Sequence, residues 1–504
     1  MPADRGGSRT RPWRGAPPER RDTVRQMSRS DLEEVFNPRS VAVVGVSTQR
    51  QRTQVGGTNY VRSLLNAGFA GDIYPVNPKG GEIWGLKMYR GIREIPGSVD
   101  YVISSIPVTG ALELVKDCAA KGVKAIHFFT SGFSEFGEKG EELEREIGAI
   151  ARESGMRVIG PNCMGVYCPK SGLSFVPDSA RESGPVGLVC QSGGNAIYLV
   201  REGGLRGVRF SKVVSYGNAS DVSESDLLEY MAADPDTGVI LAYIEGTKDG
   251  QRFKRAVREA AGRKPVIVLK AGITDSGARA VTSHTGALAG SDRVWDGFLQ
   301  QVGATRVSSL EELLDMAVTS SYLPLPSGRR VGILGIGGGV TVLASDACVG
   351  AGLQVPRFPG EIGSEVGSLL GNEAGTILNN PIDLSAEAWK VGYSDILKLL
   401  DGYDGIDLSM IHFSLGLISP PAQQHTETWG SLAADVIKSH QVSAKPMVAV
   451  IQIPVYEGHY EWMLQAQKEF SQAGIPAYHS IEGAARAIDR FMRYHELRAA
   501  RGQA

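Results

Sequence analysis

His284 stands in the run TSHTGALAG, residues 282–290, among small, hydroxyl-bearing and glycine residues. A stretch of similar composition, GITDSG at residues 272–277, precedes it. Because such residues bury little apolar surface, the sequence predicts an exposed, shaped loop in which another group can approach the imidazole closely. A histidine in this setting can act as a general base, a metal ligand or a nucleophile. No second His or Cys stands at metal-ligand spacing, so metal binding is the weakest of the three and we predict no metal site.

A carboxylate is expected beside this histidine. The apolar run at 240–244 ends at Glu245, and Glu245 and His284 follow consecutive strand-to-loop junctions. Open α/β sheets bind ligands at the carboxyl ends of their strands. A carboxylate there can hydrogen-bond one imidazole nitrogen, fix the tautomer and leave the other nitrogen nucleophilic. The alternative for Glu245 is a solvated residue at the end of a strand.

Two glycine-rich turns are candidates for anion binding. Ser192 and Gly193 follow an apolar run that begins at residue 186, and Gly338 and Gly339 follow one that begins at residue 331. Each turn opens a predicted helix, whose first N–H groups lie at the positive end of the helix dipole. Two such turns could hold one anion between them, although glycines also serve the close packing of a helix on a strand.

The elements that must position these residues alternate between strands and helices. From Asn37 onward, apolar strands are predicted at 40–46, 73–76, 101–107 and 125–129, with helices between them. This alternation predicts an α/β fold that begins with a Rossmann-like, doubly wound nucleotide-binding domain over residues 31–165.

An internal repeat predicts the fold of the remainder of the chain. Residues 186–194 are echoed at 331–339, and residues 264–269 are echoed at 445–450. We therefore predict two flavodoxin-like, doubly wound domains, over residues 166–325 and 326–500, joined by a linker rich in proline and glycine.

The first domain shows an incomplete dinucleotide fingerprint. The turn after the first strand has the sequence GVSTQR at residues 45–50, and the second strand ends at Lys79 without a carboxylate. A dinucleotide site favours G-x-G-x-x-G and an acidic residue at that strand end. A cation suits a phosphorylated ribose better, which favours coenzyme A or NADP, whereas an exposed lysine on a turn is the alternative.

Composition excludes several classes of partner. The net charge of -2 gives no reason to expect nucleic acid or an anionic membrane, and no apolar run reaches the roughly 18 residues needed to span a bilayer. The 5 cysteines are scattered, which indicates a reducing cytoplasm. Residues 1–30 are rich in Arg, Pro and Gly, and we expect a disordered tail there, or a true start at Met27.

Together these motifs resemble the α subunit of the NDP-forming acyl-CoA synthetases, the ADP-forming acetyl-CoA synthetase group of the succinyl-CoA synthetase superfamily. The resemblance covers residues 35–494 and rests most on SHTGALAG at 283–290, which is similar to the phosphohistidine loop of that group. The stretches YPVNPKG at 74–80, GPNCMG at 160–165 and QSGG at 191–194 support it.

The resemblance implies a role for each candidate residue. His284 would carry a phosphoryl group, Glu245 would orient the imidazole, and the two glycine-rich turns would cradle the phosphate. Three loops of the first domain would contact coenzyme A, through Ser47, Thr48, Gln49, Arg50, Lys79, Phe129, Thr130 and Ser131. The first of these loops departs from the family by an insertion at 49–54 that carries two arginines.

The family's ATP-grasp domain is absent from this sequence. The resemblance therefore implies a separate β subunit that binds NTP or NDP with Mg²⁺, and hence a hetero-oligomer. The expected activity is that of an acid–thiol ligase, which converts a small carboxylic acid, CoA and NTP into acyl-CoA, NDP and phosphate. Two alternatives are a non-catalytic CoA-binding regulatory subunit and an NADP-dependent oxidoreductase.

Overall fold

The computed structural model of the chain describes residues 29–47, 56–285, 292–370, 375–384, 387–414, 422–452 and 459–502. The expected tail at 1–30 lies outside this part except for residues 29–30, which begin the first helix. Three large β-sheets and one small two-stranded sheet are built from strands with these bounds: β1 Ser40–Val44, β2 Asp72–Val76, β3 Gly81–Ile83, β4 Leu86–Met88, β5 Tyr101–Ser104, β6 Ala125–Phe128, β7 Arg157–Ile159, β8 Gly165–Tyr167, β9 Val186–Cys190, β10 Phe210–Ser215, β11 Val239–Ile244, β12 Val266–Lys270, β13 Thr305–Val307, β14 Val331–Gly335, β15 Ile377–Leu378, β16 Ile382–Asp383, β17 Leu408–Phe413, β18 Met447–Ile451 and β19 Ala477–Tyr478.

Helices alternate with the strands along the whole chain. Their bounds are α1 Arg29–Phe36, α2 Gly57–Ala67, α3 Ala111–Lys121, α4 Glu138–Ser154, α5 Gly193–Leu205, α6 Glu224–Ala233, α7 Gly250–Arg263, α8 Asp275–Thr285, α9 Asp292–Val302, α10 Leu310–Tyr322, α11 Gly338–Ala351, α12 Gly360–Leu370, α13 Ala388–Val391, α14 Ser394–Gly402, α15 Ala422–Val442, α16 His459–Gln472 and α17 Ile481–Ala500.

All three large sheets share one strand order. The first sheet is β2-β1-β5-β6-β7 and is parallel throughout. The parallel strands of the second follow the order β10-β9-β11-β12-β13, and those of the third follow β16-β14-β17-β18-β19. Each of these two sheets adds one antiparallel strand at an edge, β8 and β15 respectively. Counted within each sheet the parallel order is 2-1-3-4-5, one of the two common doubly wound arrangements. The predicted α/β class with three doubly wound units is confirmed.

The second and third sheets are register-matched copies. Val186 of β9 pairs with Val239 of β11, and the equivalent Val331 of β14 pairs with Leu408 of β17. This match extends to the next strand pair, in which Ile244 lies opposite Lys270 and Phe413 lies opposite Ile451. The positions of β9, β11 and β12 therefore have identifiable counterparts in β14, β17 and β18.

The echoed lysines before β12 and β18 have the same structural role in both copies. The Lys264 ammonium donates to the carbonyl oxygens of Met231, at 2.7 Å, and Asp234, at the end of α6. Lys445 donates to those of Leu400, at 3.2 Å, and Tyr403, at the end of α14. A cation at a helix C-terminus satisfies carbonyl groups that have no partner within the helix. The repeated lysine thus stabilises a helix end.

One prediction about local structure was wrong. The run at 282–290 was expected to be a loop, yet its described part, residues 282–285, forms the last turn of α8, and residues 286–290 lie outside the described ranges. The helix begins after Thr274, whose Oγ1 accepts the Gly277 N–H at 3.1 Å, and Val281 is buried against the fold. Small and hydroxyl-bearing residues are compatible with a helix once its first turn is capped.

Candidate functional site

The candidate CoA residues lie at the carboxyl ends of strands in the first sheet. Ser47 follows β1, and its N–H donates to Thr58 Oγ1 at 3.0 Å while the Thr58 hydroxyl donates to the Ser47 carbonyl oxygen at 2.8 Å. Lys79 is exposed after β2, and its N–H donates to Asn77 Oδ1 at 2.8 Å. Thr48, Gln49 and Arg50 lie outside the described residues.

The third candidate loop follows β6. Phe129 is half-buried with its ring edge-on to Tyr60, at 5.9 Å between centroids. The Thr130 hydroxyl donates to the Ile106 carbonyl oxygen at 2.9 Å, and Ser131 is exposed. Lys79 and Ser131 therefore reach solvent at the same edge of one sheet, where a ligand of a doubly wound sheet binds.

Close approach of α2 to β1 depends on two glycines, Gly45 and Gly57, whose spacing does not match the dinucleotide fingerprint. A Cβ on Gly57 would lie 2.5 Å from the Gly45 carbonyl oxygen, and Gly45 has φ 95°. A side chain at Gly57 would thus push the N-terminus of α2 away from the strand. The eleven residues between the two glycines hide this spacing from a G-x-G-x-x-G search.

The second sheet carries Glu245 directly after β11. This residue is 5% exposed, and the Tyr243 hydroxyl donates to its Oε1 at 3.4 Å. Gln191, directly after β9, holds the same point of the backbone: its Oε1 accepts the Glu245 N–H at 2.8 Å, the Gly246 N–H at 3.1 Å and the Tyr216 hydroxyl at 3.2 Å. Glu245 is therefore a buried, fixed carboxylate and not a solvated strand end.

Lys270 is a further member of this site that sequence analysis missed. It ends β12, is 3% exposed, and donates to the Glu245 carbonyl oxygen at 2.8 Å and to that of Ala271. Burial lowers the pKa of its ammonium group, an effect that the Glu245 carboxylate opposes. A charged residue at the end of the apolar run VIVLK was the available signal.

His284 lies in the last turn of α8, the helix that follows β12. Its backbone belongs to the described part of the chain, whereas the placement of its side chain does not. The predicted contact between the imidazole and the Glu245 carboxylate therefore stays a prediction. The structure does show how these residues follow one another. Glu245 comes directly after β11, Lys270 ends the next strand, β12, and His284 lies on α8, the helix that follows β12.

The two glycine-rich turns open long helices. Ser192 is the N-cap of α5, and its Oγ accepts the Asn195 N–H at 3.3 Å, with Gly193 at the first helical position. Gly338 and Gly339 begin α11, where the preceding Gly337 N–H donates to Asp383 Oδ1 at 2.7 Å. That amide is used within the chain, so a phosphate at the second turn would be bound through the amides that follow it.

A loop of the first domain reaches this second site. Glu135 Oε1 accepts the Gly132 N–H at 2.6 Å, and its Oε2 accepts from Asn218 Nδ2 at 2.5 Å. Asn218 follows β10 and is 2% exposed, so it connects the loop after β6 to the carboxyl edge of the second sheet. The short 3-10 turn Ser134–Phe136 also lies against α8. The candidate CoA edge and the histidine helix are therefore neighbours.

Two general features complete the description. Within the described ranges, no three or more His, Cys, Asp or Glu side chains converge as metal ligands would. Among the helices that the structure describes, none combines the length and apolar character needed to cross a membrane.

Two family models match the chain. The model of the succinyl-CoA ligase like flavodoxin domain matches residues 183–320, and that of the CoA binding domain matches residues 39–169. The first match covers the parallel strands of the second sheet with Glu245 and His284, and the second covers the first sheet with Ser47 and Lys79.

Similar proteins cover nearly the whole chain. The α subunit of the ADP-forming acetate–CoA ligase I of Pyrococcus furiosus is 35% identical over 93% of this chain and 98% of that subunit. The ADP-forming 4-hydroxybutyrate–CoA ligase of Nitrosopumilus maritimus is 31% identical over 92% of this chain and 64% of its own length. The structure of dinucleotide forming acetyl-coenzyme A synthetase 1 of Candidatus Korarchaeum cryptofilum, in complex with phosphate and ADP, matches with a TM-score of 0.77 and 30% identity over 94% of this chain and 99% of that one. The chain therefore belongs to the family of ADP-forming acyl-CoA ligases, in which it corresponds to the α subunit.

Proposed function

We propose that this protein is the α subunit of an acid–thiol ligase that interconverts a carboxylic acid, CoA and NTP with acyl-CoA, NDP and phosphate. The observation that carries the proposal is the buried carboxylate of Glu245, directly after β11 and next to β12, the strand that precedes the His284 helix. The chain is also 35% identical to an ADP-forming acetate–CoA ligase α subunit. Ligase relatives favour this activity over a regulatory CoA-binding subunit or an NADP-dependent oxidoreductase.

The proposed reaction has three steps. The γ-phosphoryl group of NTP passes to an imidazole nitrogen of His284, and NDP leaves. The phosphoryl group then passes to an oxygen of the substrate carboxylate, which gives an acyl phosphate and restores the imidazole. The CoA thiolate attacks the acyl carbon, and inorganic phosphate leaves with the bonding electrons. Histidine suits the carrier role because its nitrogen is nucleophilic near neutral pH.

Each step assigns a role to this chain's residues. Glu245 would orient the imidazole through one ring nitrogen, and the turns at Ser192 and Gly193 and at Gly338 and Gly339 would bind the phosphate with backbone N–H groups. CoA would lie along the edge marked by Ser47, Lys79 and Phe129 to Ser131, together with the loop containing Thr48, Gln49 and Arg50. The exposed Lys79 ammonium is suited to the 3′-phosphate of CoA.

The nucleotide would be bound by a partner. Relatives named α subunits imply a second subunit, and we propose that it is an ATP-grasp β subunit that holds NTP and Mg²⁺ in a cytoplasmic hetero-oligomer. A relative that is longer than this chain, of which the chain spans 64%, has room for such a domain in one polypeptide.

The decisive experiment is phosphorylation of the reconstituted complex with γ-labelled ATP. We expect acid-labile label on wild-type α subunit, and a loss of labelling and of acyl-CoA formation of about 10⁴-fold or more in His284→Asn. His440→Asn, a change in α15 of the third domain, is the matched control and should label as wild type. Equal labelling and turnover in His284→Asn and wild type would refute the proposal.

A further inference from the structure

The end of β12 carries a lysine that is almost entirely removed from solvent. Lys270 is 3% exposed, and its ammonium nitrogen lies 5.1 Å from the centroid of the Trp295 ring. Trp295 belongs to α9, the first helix after the His284 segment, and Glu245 precedes that segment in the chain. Lys270 therefore contacts the chain on both sides of the histidine: the Glu245 carbonyl oxygen before it and the indole ring after it.

The internal repeat shows that the fold does not require a lysine here. The register that pairs Ile244 with Lys270 pairs Phe413 with Ile451 in the other copy, and Ile451 is fully buried. A buried apolar residue is thus sufficient to complete this strand. A buried ammonium group costs desolvation free energy that isoleucine does not.

Two other polar residues of this site also have different counterparts in the third domain. Gln191 corresponds to Ile336 and Glu245 corresponds to Ser414 in the third domain. Gln191, Glu245 and Lys270 are therefore each replaced by a smaller or apolar residue in the third domain. Lys264, by contrast, keeps its counterpart Lys445 because both bind a helix end. Comparison of the two copies therefore distinguishes Lys264, which has a structural role in both, from Lys270, which is present in the copy that carries His284.

We propose that Lys270 is a positioning residue for phosphoryl transfer at His284, which fixes the backbone of Glu245 and supplies positive charge when the phosphoryl group arrives. Gln191 fixes the same turn from the other side through the Glu245 and Gly246 amides. Together they fix the backbone from which the Glu245 carboxylate projects. The inference rests on the proposed function, because it assumes that His284 carries a phosphoryl group.

The ammonium group has an electrostatic consequence that a neutral hydrogen-bond donor lacks. The phosphoryl group brings negative charge next to the Glu245 carboxylate, and a preorganised cation in a buried site offsets that repulsion without solvent reorganisation. Arginine at this position would keep the charge, whereas methionine would keep only the apolar stem. The two variants therefore separate charge from packing.

The test compares Lys270→Met, Lys270→Arg and Lys264→Met in the reconstituted complex with γ-labelled ATP. We expect Lys270→Met to slow phosphohistidine formation about 100-fold, with the KM of CoA unchanged, and Lys270→Arg to recover part of that rate. Lys264→Met removes an ammonium group with two backbone carbonyl contacts at the other end of the same strand. It should lower the thermal midpoint but leave phosphorylation within about threefold of wild type.

Each outcome decides the proposal. Wild-type phosphorylation rates in Lys270→Met would overturn it, as would equal slowing in Lys270→Met and Lys264→Met, or slowing in which Lys270→Arg recovers nothing. Should Lys270→Met not fold, as judged by loss of CoA binding, the folded Lys270→Arg and Lys270→Gln pair decides through the same rate comparison. Absence of label on wild type would instead refute the phosphohistidine itself.

Discussion

The imidazole of His127 illustrates what burial does to a histidine in this chain. Its ring has no exposed surface in β6, and Nε2 lies 2.9 Å from the Cys163 carbonyl oxygen. Burial lowers its pKa to about 4, and the same cause lowers that of His412 in β17 to about 4. Both rings are therefore neutral at pH 7 and serve as parts of the core.

Neutral burial of His127 predicts a loss of stability in mild acid. The unfolded imidazole titrates near 6.5 and the folded one near 4, so between these values the unfolded state binds more protons and the free energy of unfolding falls as the pH falls. The contribution is about 3 kcal/mol, complete above pH 6.5 and lost towards pH 4. We expect His127→Gln to reduce the difference in urea midpoint between pH 7.5 and 4.5, with His412 still contributing in the variant. An identical pH dependence in both proteins would contradict this account.

At the residue scale the sequence indicates candidate polar residues at strand ends better than the residues that hold them. Glu245 and Lys79 are visible because each follows an apolar run. The role of Gln191 cannot be predicted from the sequence, because its three hydrogen bonds are made with residues more than twenty positions away in the chain. Lys270 becomes conspicuous only after the strand registers align it with Ile451.

At the element scale, strands were more predictable than the helix that carries His284. Buried parallel strands are short apolar runs bounded by turns, and β1, β9 and β14 match theirs to within two residues. The run of α8 has no such apolar pattern. Its composition of Ser, Thr, Ala and Gly indicates a loop, whereas the Thr274 cap and the burial of Val281 favour a helix.

That cap yields a prediction about α8. Thr274→Ala removes the acceptor for the Gly277 N–H and should destabilise the first turn by about 1 kcal/mol. Local opening of the helix should then become about fivefold more frequent, which hydrogen exchange of the amides at 278–285 measures directly. Thr274→Ser keeps a hydroxyl acceptor and is the matched control. Unchanged exchange in Thr274→Ala would show that packing of Val281 alone holds the helix.

At the scale of the whole molecule, the three sheets are joined by buried polar contacts as well as by a shared core. One hydrophobic cluster contains residues from all three sheets, including Val41 of β1, Leu188 of β9 and Val331 of β14. The repetition of the sheets could be predicted because the sequence itself contains repeated segments. The contacts between the sheets could not be predicted. They join residues far apart in the chain, such as Tyr478 and Thr319, whose hydroxyl oxygens are 2.8 Å apart.

The ion pair between Arg157 of β7 and Asp221, which precedes α6, links the first two sheets. Changing it gives the strongest test of how polar contacts hold the sheets together. Arg157 Nη2 and Nε donate to the two Asp221 carboxylate oxygens at 2.8 and 2.9 Å, and the Val158 N–H also donates to Asp221. Both side chains are about nine-tenths buried. We expect Asp221→Ala to lower the free energy of unfolding by about 3 kcal/mol, because it leaves a buried guanidinium whose other carboxylate partner among the described residues, Asp31, is 3.6 Å away.

A double-mutant cycle separates the pair from its surroundings. The loss of unfolding free energy in the double variant Arg157→Met/Asp221→Ala should be smaller than the sum of the losses in the two single variants. The reason is that Asp221→Ala removes the carboxylate that Arg157→Met leaves without its partner. Arg263→Met, which breaks the exposed pair with Glu259 within α7, should leave the thermal midpoint nearly unchanged. If the single changes are additive, the ion pair contributes no coupling energy, and the first two sheets are held together by their shared apolar core.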